Sequence, residues 1–98
     1  MSLLLKTPKE VSLEIASRLK ERRLAQNLTQ AGLALRAGMS TPSLKRFEKT
    51  GEISFVSLLN IALVLDCLDE CDRLFENNNK PVSLFTDEAK PKKRGSIK

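Results

Sequence analysis

Apolar residues recur along the chain in a helical rhythm that is broken at intervals by capping and turn residues. Thr7-Pro8-Lys9-Glu10 combines an N-cap hydroxyl, a proline at the first helical position and a glutamate placed to close a capping box. Val11, Ile15 and Leu19 then recur every four residues, which predicts one apolar stripe on a helix running to about Gln26. Asn27 and Leu28 lead into Thr29, a second N-cap, and a short helix follows through Ala37 with Leu33 and Ala34 inward and Gly38 as its stop. Ser40 or Thr41 caps a third helix through about Lys49, with Pro42 tolerated in its first turn and Leu44 and Phe47 as a narrow inward face. Thr50-Gly51 ends it. Ser54 caps a mostly apolar fourth helix carrying Leu58, Leu59, Ala62, Leu63 and Leu65, whose stripe serves as core or dimer surface. Asp66 to Phe75 is expected to form a fifth, acidic helix with Leu68 and Leu74.

Asn77 to Asn79 and Pro81 close the helical part, so residues 1–76 read as one domain and 77–98 as a C-terminal segment. Val82 to Phe85 is a short apolar run that suits a strand or a loose docking segment. Ala89 to Lys98 is too polar to fold alone and is expected to be a flexible basic tail. No internal repeat is visible.

Composition sharpens the class. A length of 98 residues bounds one compact domain, and 41% hydrophobic residues suffice for one modest core. With no Trp or Tyr and four Phe, that core must be built from Leu, Ile, Val and Ala, which favours helices over sheet. No stretch approaches the roughly 18–20 apolar residues that span a bilayer. Met1 to Leu5 is too short for a signal-peptide core and its lysine follows the apolar run, so a cytoplasmic protein without a membrane partner is expected.

Charge changes the picture more. Residues 18–49 hold eight basic and two acidic side chains, a local +6. Residues 52–76 hold Arg73 against Glu52, Asp66, Asp69, Glu70, Asp72 and Glu76, a local −5, and residues 90–98 add five positive charges. This basic, acidic, basic order suits a polyanion partner for the basic parts. Catalysis finds no support: the chain has no histidine, the commonest general base, and no glycine loop that would cradle phosphate. Cys67 and Cys71, spaced Cys-x-x-x-Cys without histidine, make a poor zinc site and read as small helix residues partly or wholly buried. No metal or cofactor is expected.

The specific signal is residues 29–51, TQAGLALRAGMSTPSLKRFEKTG. Two helices that cross closely need a small residue at the crossing, and Ala34 fits. The tight turn between them needs a residue that accepts positive φ, and Gly38 does so. Leu44 and Phe47, three apart, pin the next helix onto the first two. Thr41, Ser43, Lys45, Arg46 and Lys49 are left outward, hydrogen-bond donors and cations of the kind a major groove and its phosphates require.

Residues 15–65 resemble the Cro/C1-type (XRE) helix-turn-helix domain of phage and bacterial repressors. The pattern that carries the resemblance is Leu28-Thr29-Gln30, Leu33-Ala34, Ala37-Gly38-Met39-Ser40, Leu44, Glu48 and Gly51. It implies an all-α, five-helix lambda-repressor-like DNA-binding domain with its motif at 29–49 and a short C-terminal extension. It further implies that Gln30 clamps phosphate and braces the reading helix, and that Ser40 and Ser43 bond the DNA backbone. Thr41 and Arg46 fall where relatives meet base edges, Arg46 with a guanine. Lys45 and Lys49 fall on phosphates. Arg23 and Glu48 match a pair that ties the first helix to the third. Two positions depart from the pattern. Gly32 stands where relatives often carry the capping-box glutamate, and Pro42 lies among the base-reading positions, where it offers only apolar contact.

Arg46 to Ser54, together with the Lys92-Lys93-Arg94-Gly95 ending, also resembles HipB-like antitoxins, which partner HipA-type kinase toxins and repress their own operons. The resemblance implies a repressor that binds an inverted-repeat operator in double-stranded DNA as a homodimer, with a HipA-type kinase toxin as partner. A stand-alone phage-type repressor and a protein-interaction module without DNA binding are the competing readings. Lys92, Lys93 and Arg94 suit an arm on the DNA backbone, a partner contact or a solvated tail. The acidic fifth helix and Val82–Phe85 are the expected dimer or partner surface.

Overall fold

Four of the helices begin where a side-chain oxygen takes up a free amide of the first turn. The Thr7 hydroxyl accepts from the Glu10 amide at 3.1 Å while the Glu10 carboxylate accepts from the Thr7 amide at 2.9 Å, a complete capping box. Thr29 caps through the Gly32 amide (2.9 Å), Ser40 through that of Ser43 (3.2 Å) and Ser54 through that of Ser57 (3.1 Å). The structure, a computed structural model that describes residues 6–77, accordingly contains α1 (Pro8–Ala25), α2 (Gln30–Ala37), α3 (Thr41–Thr50), α4 (Phe55–Val64) and α5 (Leu68–Asp72). The expected all-helical, five-helix architecture is what forms, and no strand occurs among the described residues.

Three of the helices that form, α1, α2 and α4, end by a shared device. Asn27, Gly38 and Asp66 adopt left-handed backbone (φ 58°, 72° and 64°). Each lets the next amide reach back five residues: Leu28 to the Arg23 carbonyl, Met39 to that of Ala34 and Cys67 to that of Ala62. Asp66 therefore ends α4 instead of starting a helix over 66–75. Cys67 stands in its place at the N-cap without a side-chain cap bond, and α5 closes after five residues. Residues 73–75 follow as turns, with Phe75 left-handed (φ 62°).

Ala16, Leu33, Ala34, Ala37, Leu44, Phe47, Ile61, Ala62, Leu65 and Cys67 form the core, drawn from every helix or its cap. Phe47, Leu33, Leu44 and Ile61 are its largest fully buried side chains, each stabilising by about 1.5–3 kcal/mol. α1 packs on α3, α2 on both α3 and α4, and α5 on α4. The buried face of α1 differs from the predicted stripe. Val11 is exposed and Ile15 and Leu19 are only partly buried, whereas Ala16 is wholly buried and Ser12 and Arg23 bond the cap of α3 and α3 itself. Close approach favours small and bonding groups there: the Ser12 hydroxyl donates to the Gly51 carbonyl at 2.9 Å, and Ala16 is wholly buried. In α4 the inward residues are Ile61 and Ala62, with Leu65 buried at the cap, while Leu63 is exposed.

Cys67 is a buried free thiol and Cys71 a half-buried one, whose pKa burial and the neighbouring Cys67 push up. No group of residues among those described could hold a metal ion, and no described helix is long and apolar enough to cross a membrane. The predicted elements beyond residue 77, namely the Pro81 stop, Val82–Phe85 and the basic ending with Lys92, Lys93 and Arg94, lie outside the described residues.

Candidate nucleic-acid interface

α2 and α3 are held at a fixed angle by three packing constraints. Gly38 (φ 72°, ψ 30°) makes the turn, Ala34 is buried at the crossing, and Leu44 and Phe47 seat α3 in the core. The fourth constraint is polar. Arg23 Nε donates to Glu48 Oε2 at 2.8 Å and its Nη2 to Oε1 at 3.1 Å, a two-point bond between α1 and α3. Arg23 Nη1 also donates to the Leu28 carbonyl at 2.8 Å, and Gln30 Nε2 donates to Glu48 Oε1 at 2.8 Å. The Arg23 and Glu48 side chains are 7% and 5% exposed, so water screens this pair little. One carboxylate thus joins α1, α2 and α3, and the expected Arg23–Glu48 tie is present. Gln30 braces α3 through its amide nitrogen.

With its inner face so fixed, α3 turns Pro42, Lys45, Arg46 and Lys49 outward, with Ser43 beside them, and leaves Thr41 half-buried. Lys45 and Lys49 make no ion pair among the described residues, so their ammonium groups are available to phosphates. Arg46 Nη2 instead meets Glu52 Oε1 at 2.9 Å. Ser40 is committed to its cap: its oxygen accepts from the Ser43 amide and its hydroxyl donates to Ser43 Oγ at 2.8 Å. The Ser43 hydroxyl keeps its own proton for an outside acceptor.

Beside α3 lies an open groove of about 420 Å³ lined by Met39, Ser40, Ser43, Arg46, Glu52, Ile53, Ser54 and Ser57. Glu52, Ser54 and Ser57 are not among the DNA-contact residues that the sequence suggests. They reach the groove because Gly51 (φ 80°) ends α3 in a left-handed turn and sends the chain back alongside it. Only the succession of Gly51 and the Ser54 cap hints at that return.

Two crossed helices with a bonded crossing and an exposed cationic second helix define the helix-turn-helix class of DNA-binding folds. A helix-turn-helix family model matches residues 19–69, just over half of the chain, and the protein belongs to that Cro/C1-type family of DNA-binding transcription regulators. This is a family of DNA-binding domains, not an enzyme class. No curated protein matches the chain.

Proposed function

We propose that the protein is a sequence-specific repressor that binds an inverted-repeat operator as a homodimer and acts as the antitoxin of a HipB-like toxin–antitoxin pair, repressing its own operon. The observation that carries the DNA part is the rigid presentation of Lys45, Arg46 and Lys49 on a helix clamped by the buried Arg23–Glu48–Gln30 network. In this reading Lys45, Lys49 and Ser43 hold the DNA backbone and Arg46 reads a base pair, with Thr41 beside it. Gln30 and Ser40 shape the surface from below. A single domain offers few base contacts, so two copies reading half-sites about 34–36 Å apart supply the missing specificity.

Pairing through α4, α5 and the turn after them suits this arrangement, because Phe55, Val56 and Leu63 on α4, Leu68 on α5, and Leu74 and Phe75 beyond it are exposed. The antitoxin assignment rests on the Arg46–Ser54 segment and the basic ending. A HipA-type kinase, the partner such antitoxins hold, would be met through the acidic α5 side or the C-terminal residues, all within the cytoplasm.

The test is selection of bound fragments from the source organism's genomic DNA at about physiological salt. Enrichment of the protein's own upstream region, with an inverted repeat, is the expected result. A kinase-like reading frame beside it supports the antitoxin role, and a phage gene cluster there supports a stand-alone repressor. Enrichment of nothing above background overturns DNA recognition and leaves the fold to protein binding.

A further inference from the structure

Among the three cations on the exposed side of α3, Arg46 is singled out by its bond to Glu52, at 2.9 Å from a carboxylate outside its own helix. The loop that brings Glu52 there is anchored at each step. The Thr50 hydroxyl donates to the Arg46 carbonyl at 2.7 Å, and the Glu52 amide donates to Thr50 Oγ1 at 3.1 Å. The Gly51 carbonyl between them accepts from Ser12 on α1 at 2.9 Å. Both the backbone and the side chain of Arg46 are therefore tied to this one turn.

An exposed pair of this kind adds little to folding stability. A carboxylate beside a DNA-facing cation also opposes the approach of phosphate. What the pair does supply is orientation. A guanidinium has five N–H donors on two bonding edges, and Glu52 takes a single Nη2 hydrogen. Whichever hydrogen that is, one complete two-donor edge is left over, the geometry that guanine O6 and N7 accept.

Resting on the DNA-binding reading above, we infer that Glu52 is a positioning residue for base recognition, which holds one edge of the Arg46 guanidinium so that the other is presented to a single base pair. Removing Glu52 then has two effects of opposite sign: discrimination at that base pair falls, while affinity for DNA of any sequence stays level or rises.

The experiment is position-resolved selection of bound duplexes from a random pool, run in parallel on the wild type, R46A, E52A, E52Q and R46A/E52A. R46A is expected to flatten the preference at one position by about tenfold. E52A reduces the preference at that same position by about three- to tenfold, and the double variant loses no more than R46A alone. E52Q, whose amide oxygen still accepts the Arg46 bond, keeps part of the preference. The proposal is overturned if E52A leaves that position unchanged, or if it weakens binding evenly across all sequences, as a merely structural role would. A wild type that selects no sequence overturns the DNA reading itself, and so is told apart from failure of Glu52 alone.

Discussion

Replacing Glu48 by alanine would leave the Arg23 guanidinium buried with two of its three hydrogen bonds gone, and the Gln30 amide nitrogen without its acceptor. With the Arg23 side chain 7% exposed, water cannot take over these bonds without opening the α1–α3 contact. Breaking a buried pair from one side costs about 3–5 kcal/mol. The Leu28 carbonyl still accepts from Nη1, which argues for the lower end, about 3 kcal/mol. In a domain of this size each kcal/mol moves Tm by about 4–8 °C, so the variant should melt at least about 12 °C lower. Thermal and urea unfolding followed by helical circular dichroism measure this directly. Removing both charges, with Arg23→Leu and Glu48→Leu together, should recover most of the loss, because no uncompensated charge is left inside. A loss below about 1 kcal/mol for Glu48→Ala, the size expected of an exposed pair, would refute the claim that this network fixes α3.

Gly38→Ala and Gly51→Ala should separate backbone strain from crowding in the same denaturation assay. Both glycines are left-handed, but nothing lies within 4 Å of a Cβ at Gly38, whereas one at Gly51 would strike the Ser12 hydroxyl and backbone. Gly38→Ala should cost about 1–2 kcal/mol and Gly51→Ala clearly more. Lys45→Ala and Lys49→Ala should each weaken binding evenly across sequences and lower the slope of log affinity against log salt by about 1, read from titrations at several salt concentrations. The Glu70 carboxyl is held below its ordinary pKa by its 2.7 Å bond to Arg22, which links α5 to α1. A depressed carboxyl stabilises the fold above its unfolded pKa of about 4.3 and loses that contribution as pH falls through its folded value. The stability gap between wild type and Glu70→Gln should therefore be open at neutral pH and close in acid.

Local chemistry made most of the fold legible in the sequence. Thr7, Thr29 and Ser54 each leave a side-chain oxygen opposite free amides, and Gly38 and Gly51 stand where only a left-handed residue ends the helix without strain. Where two readings shared one period, the sequence could not choose. Val11-Ile15-Leu19 and Ser12-Ala16-Arg23 both lie at helical spacing on α1, and the smaller, more polar line faces inward because α3 approaches closely and supplies Glu48 and Gly51 as partners. Asp66 to Phe75 is compatible with a helix residue by residue, yet the positive φ of Asp66 spends its first position on ending α4. Glu52 counts in the sequence only as one acidic charge, for a similar reason. It lies six residues from Arg46 across a left-handed turn, a separation that no helical spacing rule pairs.

The alternation of charge along the chain becomes a division of surfaces. Lys45, Arg46 and Lys49 stand on α3, while Asp69, Glu70 and Asp72 stand on α5, which packs on α4. Phosphate is attracted to one and repelled by the other, which supports the proposal that DNA is met on the α3 side. Two copies that pair through α4 and α5 leave both α3 faces free, but they also bring two acidic helices near each other. Their apolar neighbours favour contact, and their like charges oppose it. Salt screens the repulsion within about a Debye length, near 10 Å at 0.1 M. Self-association of the protein alone, followed by sedimentation from low to high salt, should therefore strengthen. Over the same range DNA binding should weaken as phosphate counterions are no longer released to advantage. If self-association instead falls with salt in step with DNA binding, opposite charges join the two copies, and the basic α3 side of one copy meets an acidic surface of the other, in place of α4 and α5 meeting their like.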